Sequence, residues 1–166
     1  MAAHQILSKE IAYRKLQRMA YEIAERNNTE KHIILAGIKE NGSIISKILF
    51  TFLKDIFNGE LTTIEIALDK RDPKIISLSE KINFEDKIII VTDDVANSGR
   101  TLLYALKPFL DFYPKKIQTL VLVERSYKEF PVASDFVGLS VSTAFSEKII
   151  VETKNNEIVG ASLITT

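Results

Sequence analysis

The sequence predicts an α/β fold of three layers, a mostly parallel sheet with helices on both faces. Three observations predict it. Apolar runs of strand length alternate with stretches of helical periodicity along most of the chain. One segment, IIIVTDDVANSGRTL at 88–102, reads as a buried strand, an acidic end, a short polar turn and the start of a helix. Near the C-terminus the turn dipeptide Asn155-Asn156 separates two further strand-like runs, which predicts a small hairpin outside the main sheet.

The elements follow in order. Residues 9–28 carry Ile11, Leu16, Met19, Ala20, Ile23 and Ala24 on one helical face, with Ser8 as N-cap and Asn27 and Asn28 at the end. HIILAGI, 32–38, is short and continuously apolar, which fits a buried strand. After Lys39-Glu40-Asn41-Gly42 a second helix is predicted from about Ser43. Its apolar face is Ile44, Ile45, Ile48, Leu49, Phe52 and Ile56, and Asn58-Gly59 stops it. LTTIEIAL, 61–68, alternates as a strand does, and the stretch 69–86 is too mixed to predict an element. A strand at 87–92 precedes a helix from about Gly99 to Phe112, with Pro108 inside it as a kink. IQTLVLVE, 117–124, and the shorter DFVGLSV, 135–141, complete the buried strands. No repeat, low-complexity tract or linker interrupts the chain, so one domain is expected over residues 1–166.

Composition narrows the function. With 166 residues and 46% hydrophobic content, the chain can bury a full core. Its 22 basic and 22 acidic residues cancel, so no single-sign field advertises nucleic acid or an anionic membrane. The absence of cysteine excludes disulfides, thiolate metal sites and a cysteine nucleophile. Two histidines, His4 and His32, are too few for a typical metal cluster. No segment approaches the ~18–20 apolar residues of a membrane span, and a cytoplasmic protein is the expectation.

The chemistry concentrates at 88–102. Asn97, Ser98, Gly99, Arg100 and Thr101 would turn backbone N–H groups and two hydroxyls toward one point at a helix start, where an anion is favoured. Asp93 and Asp94 cannot hold a phosphate, so they must serve another group on the same ligand. A sugar phosphate meets both demands: carboxylates accept from ribose hydroxyls while the loop holds the 5′-phosphate. This resembles the phosphoribosyl-pyrophosphate (PRPP) loop of type I phosphoribosyltransferases. A second strand–loop–helix, AGIKENG at 36–42, has Gly37 and Gly42 placed to bring N–H groups close to an oxyanion. Neither GxxxxGK[ST] nor GxGxxG occurs.

Taken together, the chain resembles the family of bifunctional pyrimidine-operon regulators and uracil phosphoribosyltransferases. The matching stretches are ILSKEIAYRKLQRMAYEIAERN, IILAGIKENG, TTIEIALDKRD, IIIVTDDVANSGRTL and TLVLVERSYKEFPVASDFVGLSVSTAFSEKIIVE, in the family's order from about residue 6 to 152. The resemblance implies the type I phosphoribosyltransferase fold with a small C-terminal hood. It implies that Asp93 and Asp94 bind the ribose diol at the catalytic centre, that residues 97–101 cradle the 5′-phosphate, and that Lys39, Glu40, Asn41 and Gly42 line the pyrophosphate site. Val95, Arg125, Ser126, Phe136, Val137 and Gly138 would form the base pocket. It further implies Mg²⁺ carried by PRPP, at most through water to Asp93 or Asp94, with no direct metal ligand. The partners implied are PRPP, a nucleobase (uracil foremost) or a nucleoside monophosphate, and further copies of the chain in a homodimer or higher assembly.

Departures from the family pattern bear on function. Purine-type enzymes carry an acid at the position of Asn97; an amide cannot exchange a proton with the ring, which favours a pyrimidine. Asn41 stands where the pyrimidine regulators typically have arginine, a loss of one bidentate oxyanion partner. The stretch between Asp72 and Ile88 is shorter than the family's lid. PRPP binding with slow transfer is therefore expected. RNA binding by a catalytically weak, nucleotide-sensing regulator is the alternative, with Arg18, Arg26 and Lys128 as RNA contacts. For the basic residues of the first helix, a solvated helix face is the favoured reading. A phosphate-binding α/β protein without transferase activity is the third.

Overall fold

In the computed structural model, residues 3–165 are described. The chain begins with β1 (Ala3–Ser8), α1 (Lys9–Arg26), β2 (His32–Ile38), α2 (Asn41–Leu53) and β3 (Glu60–Leu68). It continues with β4 (Ile76–Leu78), β5 (Ile88–Ala96), α3 (Arg100–Ala105), a 3₁₀ turn at Lys107–Phe109, β6 (Lys116–Arg125) and β7 (Phe136–Val141). β8 (Glu147–Lys154) and β9 (Glu157–Thr165) close it. Six strands form the main sheet in the order β4-β3-β2-β5-β6-β7. All pair in parallel except β4, which lies antiparallel on β3.

The strand sequences explain this burial. Ile33–Ile38 of β2 and Ile88–Val91 of β5 are continuous runs without a polar side chain because helices cover both faces of the sheet. On one face Leu16, Met19 and Ile23 of α1 and Ile45, Leu49 and Leu53 of α2 pack over Ile33, Leu35, Ile88 and Ile90. On the other, Leu102 and Ala105 of α3, with Phe84 and Phe109, cover Ile34, Ile89, Val91 and Val121. Phe84 meets Phe109 edge-on, ring centroids 5.0 Å apart. The expected layers and parallel sheet are there.

Several boundaries differ for identifiable reasons. α1 stops at Arg26 because the Asn27 side chain turns back, Nδ2 donating to the Ile23 carbonyl and to Gln118 Oε1. Ser8 caps its start as expected, accepting from the Ile11 N–H. Ile11 itself is 46% exposed and Ala12 takes the buried position. α2 begins two residues earlier than expected and ends at Leu53, short of Ile56. α3 spans only Arg100–Ala105: with no N–H on Pro108, the chain tightens into the 3₁₀ turn that seats Phe109. The mixed stretch 69–86 contains β4, and β5 runs four residues past 92, carrying the two aspartates into the sheet.

The C-terminal hairpin is present, with Asn155 and Asn156 both at positive φ (52° and 60°), as a type I′ turn requires. It is not alone. β1, which the sequence did not suggest, pairs antiparallel with β9, so the small sheet has three strands in the order β1-β9-β8. β8 passes over the carboxyl end of β5.

Candidate active site

Parallel strands deliver their loops to one end, and in open α/β sheets ligands bind there. At that end lies a cavity of about 300 Å³. Its walls are the last residues of β5, the loop into α3, Asn41 and Lys70, with Ile149, Ile150 and Val151 of β8 as roof.

Asp93 and Asp94 form its floor. Asp93 is 1% exposed and Asp94 8%. Backbone donors fix them: the Asp94 N–H donates to Asp93 Oδ1 and the Val95 N–H to Asp94 Oδ1, each at 2.9 Å. Burial, then the neighbouring negative charge of Asp94, pushes the Asp93 carboxyl up to about 8. Lys70 works against that rise: its ammonium lies 3.3 Å from Asp93 Oδ1 and 3.8 Å from Asp94 Oδ1. Burial disfavours that ammonium, but the two carboxylates outweigh it and hold its pKa above the usual lysine value.

The loop 97–101 forms the adjoining wall. Gly99 sits at φ 83°, a left-handed turn that an L side chain enters only at a cost. The Ser98 carbonyl accepts from the N–H groups of Glu129 and Phe130, both at 3.0 Å, and Ser98 Oγ accepts from the Arg100 N–H. Asn97, Ser98, Gly99 and Thr101 line the cavity. Arg100, expected beside them, does not. Its exposed guanidinium donates to the Lys70 carbonyl at 3.2 Å.

The second loop abuts the first back to back. A Cβ on Gly42 would lie 2.5 Å from the Thr92 carbonyl oxygen, so only glycine permits this approach. The Thr92 hydroxyl donates to the Gly42 carbonyl at 2.9 Å and shares a hydrogen bond with Ser46, all of it buried. Glu40 holds φ 75°, ψ −115°, a strained conformation of the kind that collects at ligand loops. Of the four residues expected at the pyrophosphate, only Asn41 lines the cavity; Gly42 is buried beneath it, and the side chains of Lys39 and Glu40 are exposed outside. The Asn41 amide is also committed, Nδ2 to Asp94 Oδ2 at 2.7 Å and to the Val151 carbonyl, Oδ1 to the Thr153 hydroxyl.

The residues expected at the base divide. Val95 lines the main cavity. Arg125 lines a second one of about 370 Å³, which shares Asn97 and Ser98 with the first and adds Tyr127, Glu129, Thr143 and Phe145. Its guanidinium holds that wall together, donating to Thr143 Oγ1 and to the carbonyls of Ala144 and Glu147. Ser126 is exposed and bonded to Ser142, lining neither cavity. Phe136, Val137 and Gly138 are a correction. None lines either cavity: β7 stands two strands from β5, with Val137 level with Asp93 across β6, and Phe136 is wholly buried.

The basic residues considered for RNA are likewise engaged. Arg18 donates to the carbonyls of Val137 and Gly138 and pairs with Glu22; Arg26 stacks 4.8 Å over Phe136 and donates to the Asp135 carbonyl. Lys128 pairs with Glu124 at 2.8 Å. Arg18 and Arg26 are exposed, as the solvated-face reading expects, and both also bond from α1 across to the β7 side.

Known proteins give the arrangement its family. The "Phosphoribosyl transferase domain" family matches residues 2–154. The chain belongs to that family. It is 34% identical over 153 residues to "Bifunctional protein pyrR" of Enterococcus faecalis, covering 87% of this chain and 86% of that one. To "Bifunctional protein PyrR" of Pediococcus pentosaceus it is 38% identical over 148 residues, covering 82% and 84%. Its fold is similar to the hypoxanthine phosphoribosyltransferase of Trypanosoma cruzi, TM-score 0.78 at 16% identity, with 94% of each chain covered. A hypoxanthine-guanine phosphoribosyltransferase of Bacillus anthracis gives TM-score 0.76 at 18% identity. In this phosphoribosyltransferase, the paired carboxylates and the small polar loop line one cavity.

The sequence reading missed Lys70 and the β8 roof as parts of this site. The available signal was position: Lys70 follows β3 at the same sheet end as both loops.

Proposed function

We propose that this phosphoribosyltransferase transfers ribose 5-phosphate from PRPP to uracil, giving UMP and pyrophosphate, and that the whole chain acts as one unit. The observation that carries this is the juxtaposition of Asp93 and Asp94 with Asn97, Ser98, Gly99 and Thr101 in one cavity. The aspartates accept from the ribose 2- and 3-hydroxyls. Backbone N–H groups and hydroxyls of 98–101 hold the 5′-phosphate. With both ends of the sugar fixed, its anomeric carbon faces the base at a set angle, and orientation supplies much of the rate. The β8 roof limits water at that carbon.

Uracil is favoured by Asn97. Its amide lies between the two cavities and hydrogen-bonds without taking a proton. Tyr127 and Phe145 supply apolar surface for a planar base.

Mg²⁺ fits as an ion brought with PRPP. Among the described residues no three His, Cys, Asp or Glu side chains form a metal cage, whereas two hard carboxylates beside a polyphosphate suit this ion. When bound, it neutralises charge on the pyrophosphate; Asp93 and Asp94 are the residues placed to hold it, through water.

A slow, nucleotide-sensing regulator is the second reading. The commitment of Asn41 to Asp94 and β8 supports it, since that amide must part from its partners to meet pyrophosphate. RNA remains the less favoured partner, because Arg18, Arg26 and Lys128 are already paired within the chain. Product formation from PRPP and a panel of bases tests the proposal. UMP from uracil, with hypoxanthine and guanine inert, is expected; a purine nucleotide as the main product would overturn the choice of base.

A further inference from the structure

The segment that leads from β7 into β8 serves both cavities. Thr143 and Phe145 line the second one, and Ile149 to Val151 roof the first. None of residues 142–146 is buried, and Phe145 is 95% exposed. Apolar packing therefore does little to fix the wall that these residues present.

Hydrogen bonds do that instead. Glu147 closes a turn on itself. Its N–H donates to the Ala144 carbonyl at 3.1 Å, and its carboxylate accepts from the Ala144 N–H at 2.6 Å. Arg125, the last residue of β6, ties the closed turn to the main sheet. Its Nε donates to Thr143 Oγ1, and its Nη2 to the carbonyls of Ala144 at 2.8 Å and Glu147 at 3.4 Å. Ser126 adds a bond to Ser142 at 3.0 Å, just before the turn. A guanidinium presents its donors in a rigid planar fork, so one side chain holds all three acceptors in one geometry. The opposite side of the cavity is Asn97 and Ser98, set by the phosphate loop. A base between them meets one wall fixed by that loop and one fixed by Arg125.

We propose that Arg125 is a positioning residue for the nucleobase, holding the turn 143–147 and, through it, the face on which the base rests. This rests on the transferase reading above and deepens it. Without the fork, each incoming base must order the turn as it binds, and that ordering weakens its affinity. The sugar and its phosphate rest on Asp93, Asp94 and 97–101, which carry no part of this turn. Capture of PRPP is therefore left alone, and Arg125 acts on the second substrate.

The test compares wild type with Arg125→Met and Arg125→Lys in the full chain. Four quantities are read: KM for uracil, kcat, the dissociation constant of Mg²⁺–PRPP, and hydrogen exchange of 143–147. Arg125→Met should raise KM for uracil by about tenfold or more, the size expected when hydrogen bonds from a charged group are lost. Exchange of 143–147 should quicken in the ligand-free protein. PRPP affinity should change by less than about twofold, and kcat at saturating uracil should fall far less than kcat/KM. Arg125→Lys should restore little, because an ammonium lacks the fork. Thr143→Val removes only the Nε acceptor, and should move KM and exchange in the same direction by a smaller factor.

A raised KM with unchanged exchange overturns the proposal, since Arg125 would then meet the base directly. Quickened exchange with unchanged KM overturns it as well. So does an equal loss of PRPP affinity, which would make Arg125 a general support of the fold. Full recovery in Arg125→Lys would show that charge alone suffices, against the proposal. Wild type that turns over uracil while Arg125→Met behaves identically defeats the proposal and spares the transferase reading. Wild type that forms no nucleotide from PRPP and any base defeats both.

Discussion

The Asn41 amide donates to Asp94 Oδ2 at 2.7 Å, joining the loop after β2 to the acidic end of β5. The same side chain reaches the Val151 carbonyl and accepts from Thr153. One residue therefore ties together the aspartates, the second loop and the roof. Asn41→Ala should free β8 from this clamp and expose the cavity. The expected result is a lower kcat on PRPP with little change in thermal midpoint, because the residue is only partly buried; hydrogen exchange of 149–153 should quicken. An unaltered kcat would remove Asn41 from the site.

The phosphate loop makes a second prediction. Thr101→Val keeps shape but removes a hydroxyl from the cavity wall, and should weaken UMP and PRPP binding by about 1–3 kcal/mol. Titration calorimetry reads the affinity and thermal unfolding the fold. A fall in stability with affinity intact would reduce Thr101 to a helix-start residue.

Behind the loops, the buried Thr92 hydroxyl links β5 to the Gly42 carbonyl. Thr92→Val leaves that carbonyl and Ser46 without their partner, at a cost of about 1–3 kcal/mol in unfolding free energy. Thr92→Ser should recover most of it. Equal stability of the Val and Ser variants would show that the hydroxyl is idle.

Asp93 sets a pH dependence. Its pKa is raised from the ordinary 3.8 to about 8, first by burial and then by Asp94. A raised carboxyl binds its proton more tightly folded than unfolded. Its contribution to stability is therefore complete below about pH 4 and lost as pH rises through 8. Asp93→Asn should match wild type in thermal midpoint near pH 4 and exceed it increasingly toward pH 8–9, while PRPP binding weakens. A midpoint difference that does not vary with pH would contradict the burial argument.

How far the sequence carried the fold depended on how local each cause was. HIILAGI became β2 residue for residue, because continuous burial leaves a continuous apolar run. Asn155-Asn156 made its turn through the positive φ that asparagine tolerates. β1 was hidden because AHQILS becomes a strand only by pairing with β9, more than 150 residues away. At the site, the DD and NSGRT residues are contiguous and line one cavity, apart from Arg100. Lys70 and the β8 roof reach the cavity from other strands, and no local pattern announces them. Phe136–Gly138 were misplaced for a related reason: a strand's sequence shows that it is buried without showing how far across the sheet it stands from the ligand.

The central claim is that Asp93 and Asp94 hold the ribose of PRPP while 97–101 hold its phosphate. Calorimetric titration of Mg²⁺–PRPP into wild type and into the Asp93→Asn, Asp94→Asn double variant tests it most directly. Clear binding to wild type is expected. In the double variant a loss of affinity of about tenfold or more is expected, since each amide places a donor where the diol needs an acceptor. Wild-type affinity retained in the folded double variant would contradict it.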